Sequence, residues 1–142
     1  MTLTIKIKKL NKTAKTPTFG TSGAGCFDLY ASEDIILPRF ETVKVPTGLA
    51  LEIPEGHVLT VLPRSSTCCR GIQVFTGQVD SDYRGEVHAM AMNLSEALPI
   101  VIHAGDRIAQ ARLEKVEPTE FEVVSELSET ERGVNGYGST GK

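Results

Sequence analysis

Apolar and polar residues alternate along several short stretches of this chain, and this alternation constrains the fold more than any other feature. It is clearest over residues 3–7, 43–45, 49–53 and 87–91. Successive side chains of a β-strand point to opposite faces, so the pattern is typical of strands that bury one face. Gly and Pro separate these stretches at short intervals, as turns do. The sequence therefore predicts an all-β chain, either a sandwich or a jelly roll.

Further short apolar runs are predicted to add strands, and they span residues 34–37, 57–62, 71–75, 100–103 and 121–124. No window of useful length has the period of an amphipathic helix. At most a turn or two of helix is expected, near Ser95–Ala97. The chain becomes polar and acidic toward its C-terminus, so we expect a β-domain over 1–125 and a flexible tether and arm over 126–142.

The charge balance argues against partners that require a strongly positive surface. The chain has 142 residues, enough for one domain with its own core, and a formal net charge of −3. No general attraction to nucleic acid or to an acidic membrane is expected. A bound polyanion would need local Arg side chains, backbone N–H groups or a metal ion. The alternating N-terminus lacks the apolar segment of a signal peptide, and no apolar run is long enough to span a membrane, which predicts a cytoplasmic protein.

The C-terminal segment 132–142 combines four Gly residues with Arg132, Tyr137, Ser139 and Thr140. Gly lets the backbone approach a ligand and point N–H groups at an anion, while hydroxyl and guanidinium groups donate to phosphate. With Tyr137 available to cover a flat ring, the segment is predicted to wrap a nucleotide. It also spells G-x-x-x-x-G-K over 136–142, but a P-loop requires a following Ser or Thr and a helix, which we do not expect here. The alternative is a disordered polar tail.

Two internal segments carry polar side chains suited to a phosphorylated ligand, although each also has a purely structural interpretation. Pro63–Thr67 follows an apolar strand with an Arg and consecutive hydroxyls, which suits either a phosphate grip or a solvated turn. In the segment 77–86, Asp80 and Asp82 would point to the same side of a strand. There they could hold a metal-bound water or share the work of a base, and the alternative is a polar turn.

Two further polar residues lie in apolar or strand-like surroundings. Asp28 is flanked by apolar neighbours, so its carboxylate requires a cation, hydrogen-bond donors or a metal. Gln110 follows the turn at 105–106 and is either a phosphate donor or a strand residue that faces solvent.

The order and spacing of these segments resemble the trimeric deoxyuridine triphosphate nucleotidohydrolases (dUTPases) across nearly the whole chain. The five matching blocks are Gly-Cys-Phe-Asp-Leu-Tyr-Ala (25–31), Pro-Arg-Ser-Ser (63–66), Gly-Gln-Val-Asp-Ser-Asp-Tyr-Arg-Gly (77–85), Gly-Asp-Arg-Ile-Ala-Gln (105–110) and Arg-Gly-Val-Asn-Gly-Tyr-Gly-Ser-Thr-Gly (132–141). The resemblance implies a jelly roll, or distorted β-barrel, that forms a homotrimer with active sites shared between subunits. It also implies hydrolysis of dUTP to dUMP and pyrophosphate with Mg²⁺ as cofactor.

The resemblance further implies a role for each candidate residue. Asp80 would activate the water that attacks the α-phosphorus, and the ring of Tyr83 would leave no room for a 2′-hydroxyl. The hairpin around Gly71–Val79 would read uracil. The substrate contacts implied are Arg64, Ser65, Ser66, Gly77, Val79 and Gln110, together with Arg132, Tyr137, Gly138, Ser139 and Thr140 of the arm. Asp28 would reach the metal only through its water shell.

Three features depart from the usual family pattern. Cys26 stands where a Gly is usual before Asp28, and Tyr137 replaces the commoner Phe of the arm. The segment from Gly71 to Asp80 is shortened and has Val74–Thr76 where an Asn is often found. Recognition of the base is therefore expected to depend on main-chain groups.

Two alternative functions remain within the same fold. A dCTP deaminase would need a Glu positioned at the base, and the presence of Asp80 and of a complete arm argues against it. A regulatory member would bind a protein partner through the same surface, and such a partner cannot be read from the sequence.

Overall fold

The computed structural model describes residues 2–96 and 99–141, and within them the chain is almost entirely β-structure. The elements are β1 (Lys6–Lys9), β2 (Thr18–Phe19), β3 (Phe27–Tyr30), β4 (Ile35–Leu37), β5 (Thr42–Glu52), β6 (His57–Leu62), α1 (Ser65–Cys69), β7 (Ile72–Val74), β8 (Gly77–Val79), β9 (Glu86–Asn93), β10 (Ile100–Ile102) and β11 (Arg107–Lys115). The predicted all-β class is confirmed.

The strands form two main antiparallel sheets with crossed connections, as in a jelly roll. One sheet has the order β1-β5-β9-β7, the other has the order β2-β3-β11-β6-β8, and β10 pairs with β4 alone. Both main sheets contribute to a single core, for example through Val45 and Ala89 from the first and Leu29, Leu59 and Ala109 from the second. Each of these five side chains is completely buried. Truncating one of the core Leu residues to Ala would cost about 2–5 kcal/mol.

Strand β9 shows how the sequence pattern becomes a buried face. Its residues alternate strictly between partly exposed and buried, so Val87, Ala89 and Ala91 enter the core. Glu86 and His88 share the outer face, because residues two apart in a strand point the same way. This outer face becomes important for the site.

A bulge in β5 brings a main-chain donor toward the start of β9. The register of the β5–β9 pair shifts between Pro46 and Ala50. Gly48, within the bulge, has a φ of 68°, and a Cβ there would lie 2.8 Å from the Cβ of Ala14. Only Gly fits this conformation and this space. The bulge directs the N–H of Gly48 to the carboxylate of Glu86 at 2.8 Å.

Several local predictions were wrong. Residues 121–124 form no strand, and Phe121 and Val123 are almost fully exposed because no neighbouring strand covers them. The predicted turn after Pro63 is a single helical turn, α1, in which Thr67 Oγ1 donates to the carbonyl of Arg64 at 2.8 Å. Of the helix expected near Ser95–Ala97, Ser95 lies in a bend and Ala97 falls outside the described residues, as does Lys142 at the end of the arm.

Across residues 2–96 and 99–141, no helix is long and apolar enough to cross a membrane.

Candidate active site

The segment that carries Asp80 and Tyr83 crosses from one sheet to the other. β8 pairs with β6 in the second sheet, whereas β9 pairs with β5 and β7 in the first. The two strands therefore diverge, and the turn over residues 80–85 joins them. Of the two interpretations of Asp80 and Asp82, the structure therefore supports the polar turn. The expected hairpin is wrong: Gly71–Val79 is not a paired hairpin, since β7 and β8 also belong to different sheets.

A cleft of about 280 Å³ opens between the diverging strands β8 and β9. Asp80 and Tyr83 line it from the turn, and Lys44 and His88 line it from the first sheet. Residues 77–79 of β8, the edge strand of the second sheet, line the opposite wall. The cleft thus combines a carboxylate, an aromatic ring and an edge strand.

The position of Tyr83 is fixed by the turn and by its hydroxyl group. Its N–H donates to the carbonyl of Asp80 at 3.2 Å, and its hydroxyl donates to the carbonyl of Glu86 at 3.2 Å. The side chain crosses directly over Gly85, where a Cβ would lie only 2.3 Å from the Tyr83 hydroxyl. Gly85 is therefore required for this ring position, because any other residue would displace the ring.

A second group of candidate residues surrounds Asp28 at the end of β6. Arg64 Nε donates to Asp28 Oδ1 at 2.7 Å, and Arg107 Nε lies 3.6 Å from Asp28 Oδ2. Asp28 is 8% exposed, so the two cations compensate a nearly buried carboxylate. Arg64 also donates through NH1 to Ser66 Oγ at 2.7 Å, and Ser65 is exposed beside it at the start of α1.

Gln110 belongs to the same group. It lies opposite Asp28 on β3 and opposite Leu62 on β6. Its Nε2 donates to the carbonyl of Pro63 at 2.8 Å, which ties β11 to the segment that leads into α1. The Gln110 side chain therefore does not simply face solvent, because its amide is already hydrogen-bonded to the protein.

Asp80 and Arg64, one from each group, lie toward opposite ends of β6. Val61 pairs with Gly77 and Leu59 pairs with Val79, so Asp80 continues toward the His57 end of β6. Arg64 follows the other end. The five residue steps from Leu59 to Arg64 correspond to about 16 Å along an extended chain. Within one chain, Asp80 and Arg64 are therefore well separated, although the wall of the cleft reaches Val61.

The C-terminal arm carries the remaining candidates away from both groups. Within residues 117–141, the recorded hydrogen bonds are local, such as Arg132 Nε to the carbonyl of Asn135 at 2.9 Å. Tyr137 is fully exposed and has a φ of 53°. Ser139 and Thr140 line a shallow depression with Arg132. The arm thus gathers its own polar groups, and its described residues, up to 141, make no hydrogen bond or ion pair with the cleft or with the Asp28 site.

Direct protein coordination of a metal finds no support in the described ranges, which contain no cluster of three His, Cys, Asp or Glu side chains. Both oxygens of Asp28 already face guanidinium groups.

Three residues of these groups were missed by sequence reasoning: Lys44, His88 and Arg107. The two-residue spacing of Glu86 and His88 on a predicted strand could have indicated that they share a face. Lys44 and Arg107 reach their groups only through the pairing of β5 with β9 and of β11 with β3, which the sequence does not reveal.

Comparison with known proteins gives a consistent assignment. The family model described as dUTPase matches residues 12–141. The deoxyuridine 5'-triphosphate nucleotidohydrolase of Nautilia profundicola is 44% identical over 141 residues, which covers 97% of this chain and 99% of the relative. That of Paramecium bursaria Chlorella virus 1 is 41% identical over 136 residues, covering 95% and 96%. The chain belongs to the dUTPase family.

Solved structures of dUTPases share the fold. The dUTPase of Staphylococcus bacteriophage 80alpha with dUPNHPP has a TM-score of 0.91 and 25% identity, covering 99% of this chain and all of the other. A dUTPase mutant from phage phi11 of S. aureus, whose structure reports the coordination of a structural Mg(II) ion, has a TM-score of 0.80 and 22% identity over 87% of this chain and 97% of its own.

Proposed function

We propose that this chain hydrolyses dUTP to dUMP and pyrophosphate. The observation that carries the proposal is the cleft between β8 and β9, in which a carboxylate and an aromatic ring stand beside an edge strand. Membership of the dUTPase family, across residues 12–141, supports the same activity.

Asp80 is the catalytic base in this proposal. Its carboxylate accepts a proton from a water molecule, which attacks the α-phosphorus in line with the departing pyrophosphate. Asp80 is anchored through its main-chain carbonyl, which accepts from the N–H of Tyr83. The side chain is thereby left to the water molecule.

The cleft distinguishes nucleotides by shape and by hydrogen bonding. Main-chain groups of Gly77 and Val79 read the edge of uracil, and cytosine presents a donor where uracil presents an acceptor. The ring of Tyr83, fixed over Gly85, lies where a 2′-hydroxyl would project. A ribonucleotide is therefore rejected by steric contact.

The Arg64 group binds phosphates. Two of the five N–H donors of Arg64 are engaged by Asp28 and Ser66 among the described residues, and the rigid fork orients the others. Ser65 adds a hydroxyl donor. Gln110 holds the carbonyl of Pro63 and positions this segment, so it acts beside the phosphates.

Mg²⁺ is the proposed cofactor, held by phosphate oxygens and water molecules. This agrees with the preference of Mg²⁺ for phosphates and retained water, and with a protein side that offers little direct coordination. Asp28 would contact only that water shell, because Arg64 and Arg107 already flank its carboxylate. When bound, the ion neutralises charge on the phosphates.

A complete site requires more than one chain. Asp80 lies beside β6 near its His57 end and Arg64 follows the other end, so they are separated by roughly the 16 Å that five strand residues span. This supports a site in which one subunit supplies Asp80 and Tyr83 while another supplies the Arg64 group. A homotrimer, as in the family resemblance, satisfies the requirement.

Exposed apolar surface also supports assembly. A groove of about 350 Å³ beside β1 is lined mainly by apolar side chains, including Leu3, Ile7 and Phe19. β1 is the edge of its sheet, and unpaired edges and apolar patches mark contact surfaces. Phe121 and Val123, almost fully exposed in an extended segment, have the chemistry that would fill such a groove in a neighbouring subunit.

The arm completes the site in the proposed assembly. Tyr137 would cover the base, while Arg132, Gly138, Ser139 and Thr140 would hold the terminal phosphates through guanidinium, main-chain and hydroxyl donors. Its exposure in the single chain supports closure on a neighbour. The cytoplasmic location and the absence of nucleic-acid binding stay predictions.

The test is pyrophosphate release from dUTP, dCTP, dTTP and UTP, measured with Mg²⁺ and after chelation. We expect turnover of dUTP alone, dependent on Mg²⁺, and a loss of at least ~10²-fold in kcat for Asp80→Asn, since an amide cannot take the proton. Ammonia release from dCTP would instead favour the deaminase. Binding of dUTP without turnover by the wild type would favour a regulatory member.

A further inference from the structure

The carbonyl oxygen of Glu86 is contacted by one side chain from the turn and by one from β9. It accepts from the Tyr83 hydroxyl at 3.2 Å, and His88 Nδ1 lies 3.1 Å away from it. A carbonyl oxygen only accepts, so Nδ1 must carry a proton for this contact to be a hydrogen bond. Tyr83 and His88 therefore hold the same atom from two sides.

The side chain of Glu86 is anchored as well. Oε1 accepts from the N–H of Gly48 at 2.8 Å, at the bulge of β5, and Oε2 lies 3.3 Å from His88 Nε2. His88 thus contacts both the carbonyl and the carboxylate of Glu86. The next carbonyl, that of Val87, accepts from Thr47 Oγ1 at 2.6 Å, a second contact of β9 with the bulge of β5.

We propose that His88, acting through Glu86, positions Tyr83 and so sets the discrimination between deoxyribonucleotides and ribonucleotides. The inference rests on the proposed function. The Tyr83 ring stands over Gly85, and its outer end is tied only to the Glu86 carbonyl among the described contacts. A shift of that carbonyl is passed directly to the ring, which is the group that excludes the 2′-hydroxyl.

His88 is a positioning residue in this scheme and not a catalytic one. It lines the cleft from the outer face of β9, beside Lys44 and Met90, and its own contacts are with Glu86. Loss of the His88 ring removes one of the two side-chain contacts of the Glu86 carbonyl and leaves only that of the Tyr83 hydroxyl, while β9 stays paired with β5. The Tyr83 ring then gains freedom without any change in Asp80 or in the phosphate contacts.

The experiment measures kcat/KM for dUTP and for UTP in isosteric variants of His88. The amide nitrogen of Asn falls near Nδ1 and that of Gln falls near Nε2. We expect His88→Ala to lower the ratio of kcat/KM for dUTP to kcat/KM for UTP by about fivefold, the typical net effect of one hydrogen bond. His88→Asn should restore this ratio to within about twofold of the wild-type value, and His88→Gln should restore it less.

A double-mutant cycle with Tyr83→Phe separates positioning from a general structural effect. Phe lacks the hydroxyl that joins the ring to Glu86, so His88→Ala should leave the ratio unchanged in that background. A fall as large as in the Tyr83 background would overturn the inference. His103→Ala is the matched control, because His103 makes the comparable surface contact with Asp34 at 3.7 Å away from the cleft.

Each remaining outcome is decisive. An unchanged ratio in His88→Ala, in an enzyme whose wild type turns over dUTP, would overturn this inference while leaving the proposed function intact. No turnover by the wild type would overturn the proposed function itself. If circular dichroism shows that His88→Ala does not fold, the comparison of His88→Asn with His88→Gln decides. A ratio of kcat/KM for dUTP over UTP that is as high in His88→Gln as in His88→Asn, or higher, overturns the inference.

Discussion

Two inactive variants of this chain should restore each other's activity when they assemble together. The basis is the geometry of β6, which puts Asp80 near its His57 end and Arg64 just after its Leu62 end. Asp80→Asn removes the proposed base, and Arg64→Gln removes a phosphate-binding cation while keeping an amide that can donate to Asp28. Each should reduce turnover by at least ~10²-fold, the usual loss for a base or an electrostatic contact.

The expected recovery follows from counting sites. In an equal mixture refolded from urea, a site is whole when its Asp80 comes from the Arg64→Gln chain and its Arg64 from the Asp80→Asn chain. Each condition holds for half of the subunits, so about a quarter of the sites are whole in a closed cyclic oligomer. Pyrophosphate release should therefore rise to about a quarter of the wild-type rate.

A matched control distinguishes a site shared between subunits from a site held within one chain by the fraction of activity that remains. A chain carrying both substitutions, mixed equally with the wild type, retains about a quarter of the activity if two subunits share each site, and about half if one chain holds the whole site. Native mass spectrometry verifies that mixed oligomers form. Recovery absent in the first mixture, together with half activity in the second, would refute the shared site.

Four further predictions follow from the same geometry. Tyr83→Ala should admit UTP because space opens beside the sugar, and an unchanged ratio of kcat/KM for dUTP over UTP would remove Tyr83 from sugar selection. Gly85→Ala should reduce dUTP turnover, because a methyl group 2.3 Å from the Tyr83 hydroxyl displaces the ring; a dUTP titration of the variant tests this. Light scattering under reducing conditions should give three times 15.4 kDa, and Val123→Asp should lower that mass at dilute concentration if residues 121–124 fill a neighbour's groove. A chain truncated before Arg132, refolded with Asp80→Asn, should regain about a quarter of activity by the counting above; a mixture as inactive as its parents would mean that the arm closes on its own chain.

The sequence predicted the fold class because the physical cause is local. Alternation over 87–91 reflects the side-chain geometry of a strand, and this segment lies in β9 with alternate residues buried. Residues 49–52 also lie in a strand, β5, although Leu49, Ala50 and Leu51 are all buried there. The run 57–62 likewise corresponds to β6 with the same bounds. These strands could be predicted without knowing which other strands they pair with.

The errors arise where tertiary pairing overrides local pattern. Residues 121–124 have the composition of a strand, but a strand requires a neighbour, and the single chain supplies none. The segment Ser65–Cys69 has poor helix-forming composition, yet it makes one turn because Thr67 bonds back to the Arg64 carbonyl. Asp80 and Asp82 could not be assigned to a turn from alternation alone.

The candidate site likewise contains some residues that the sequence could indicate and others that depend on tertiary pairing. Residue types made Asp80, Tyr83 and Arg64 candidates for a nucleotide site, and the family resemblance implied their individual roles, which stay predictions. The supporting residues were not accessible, since Lys44 and Arg107 join their groups through strand register. His88 is an intermediate case, because its face was predictable and its contact with Glu86 was not.

The divergence of β8 and β9 unites these observations. A closed hairpin would use the facing N–H and C=O groups of its two strands for its own ladder. Here β8 pairs with β6 and is the edge of its sheet, so it keeps a free edge. Strand β9 pairs with β5 on one side and, over residues 91–93, with β7 on the other, so only its first residues keep a free edge. Unpaired strand edges are a liability in most proteins, because they recruit other strands. In the proposed function, a base with matching donors and acceptors would pair with the free edge of β8 beside Asp80 and Tyr83, and uracil would then be recognised without the usual Asn.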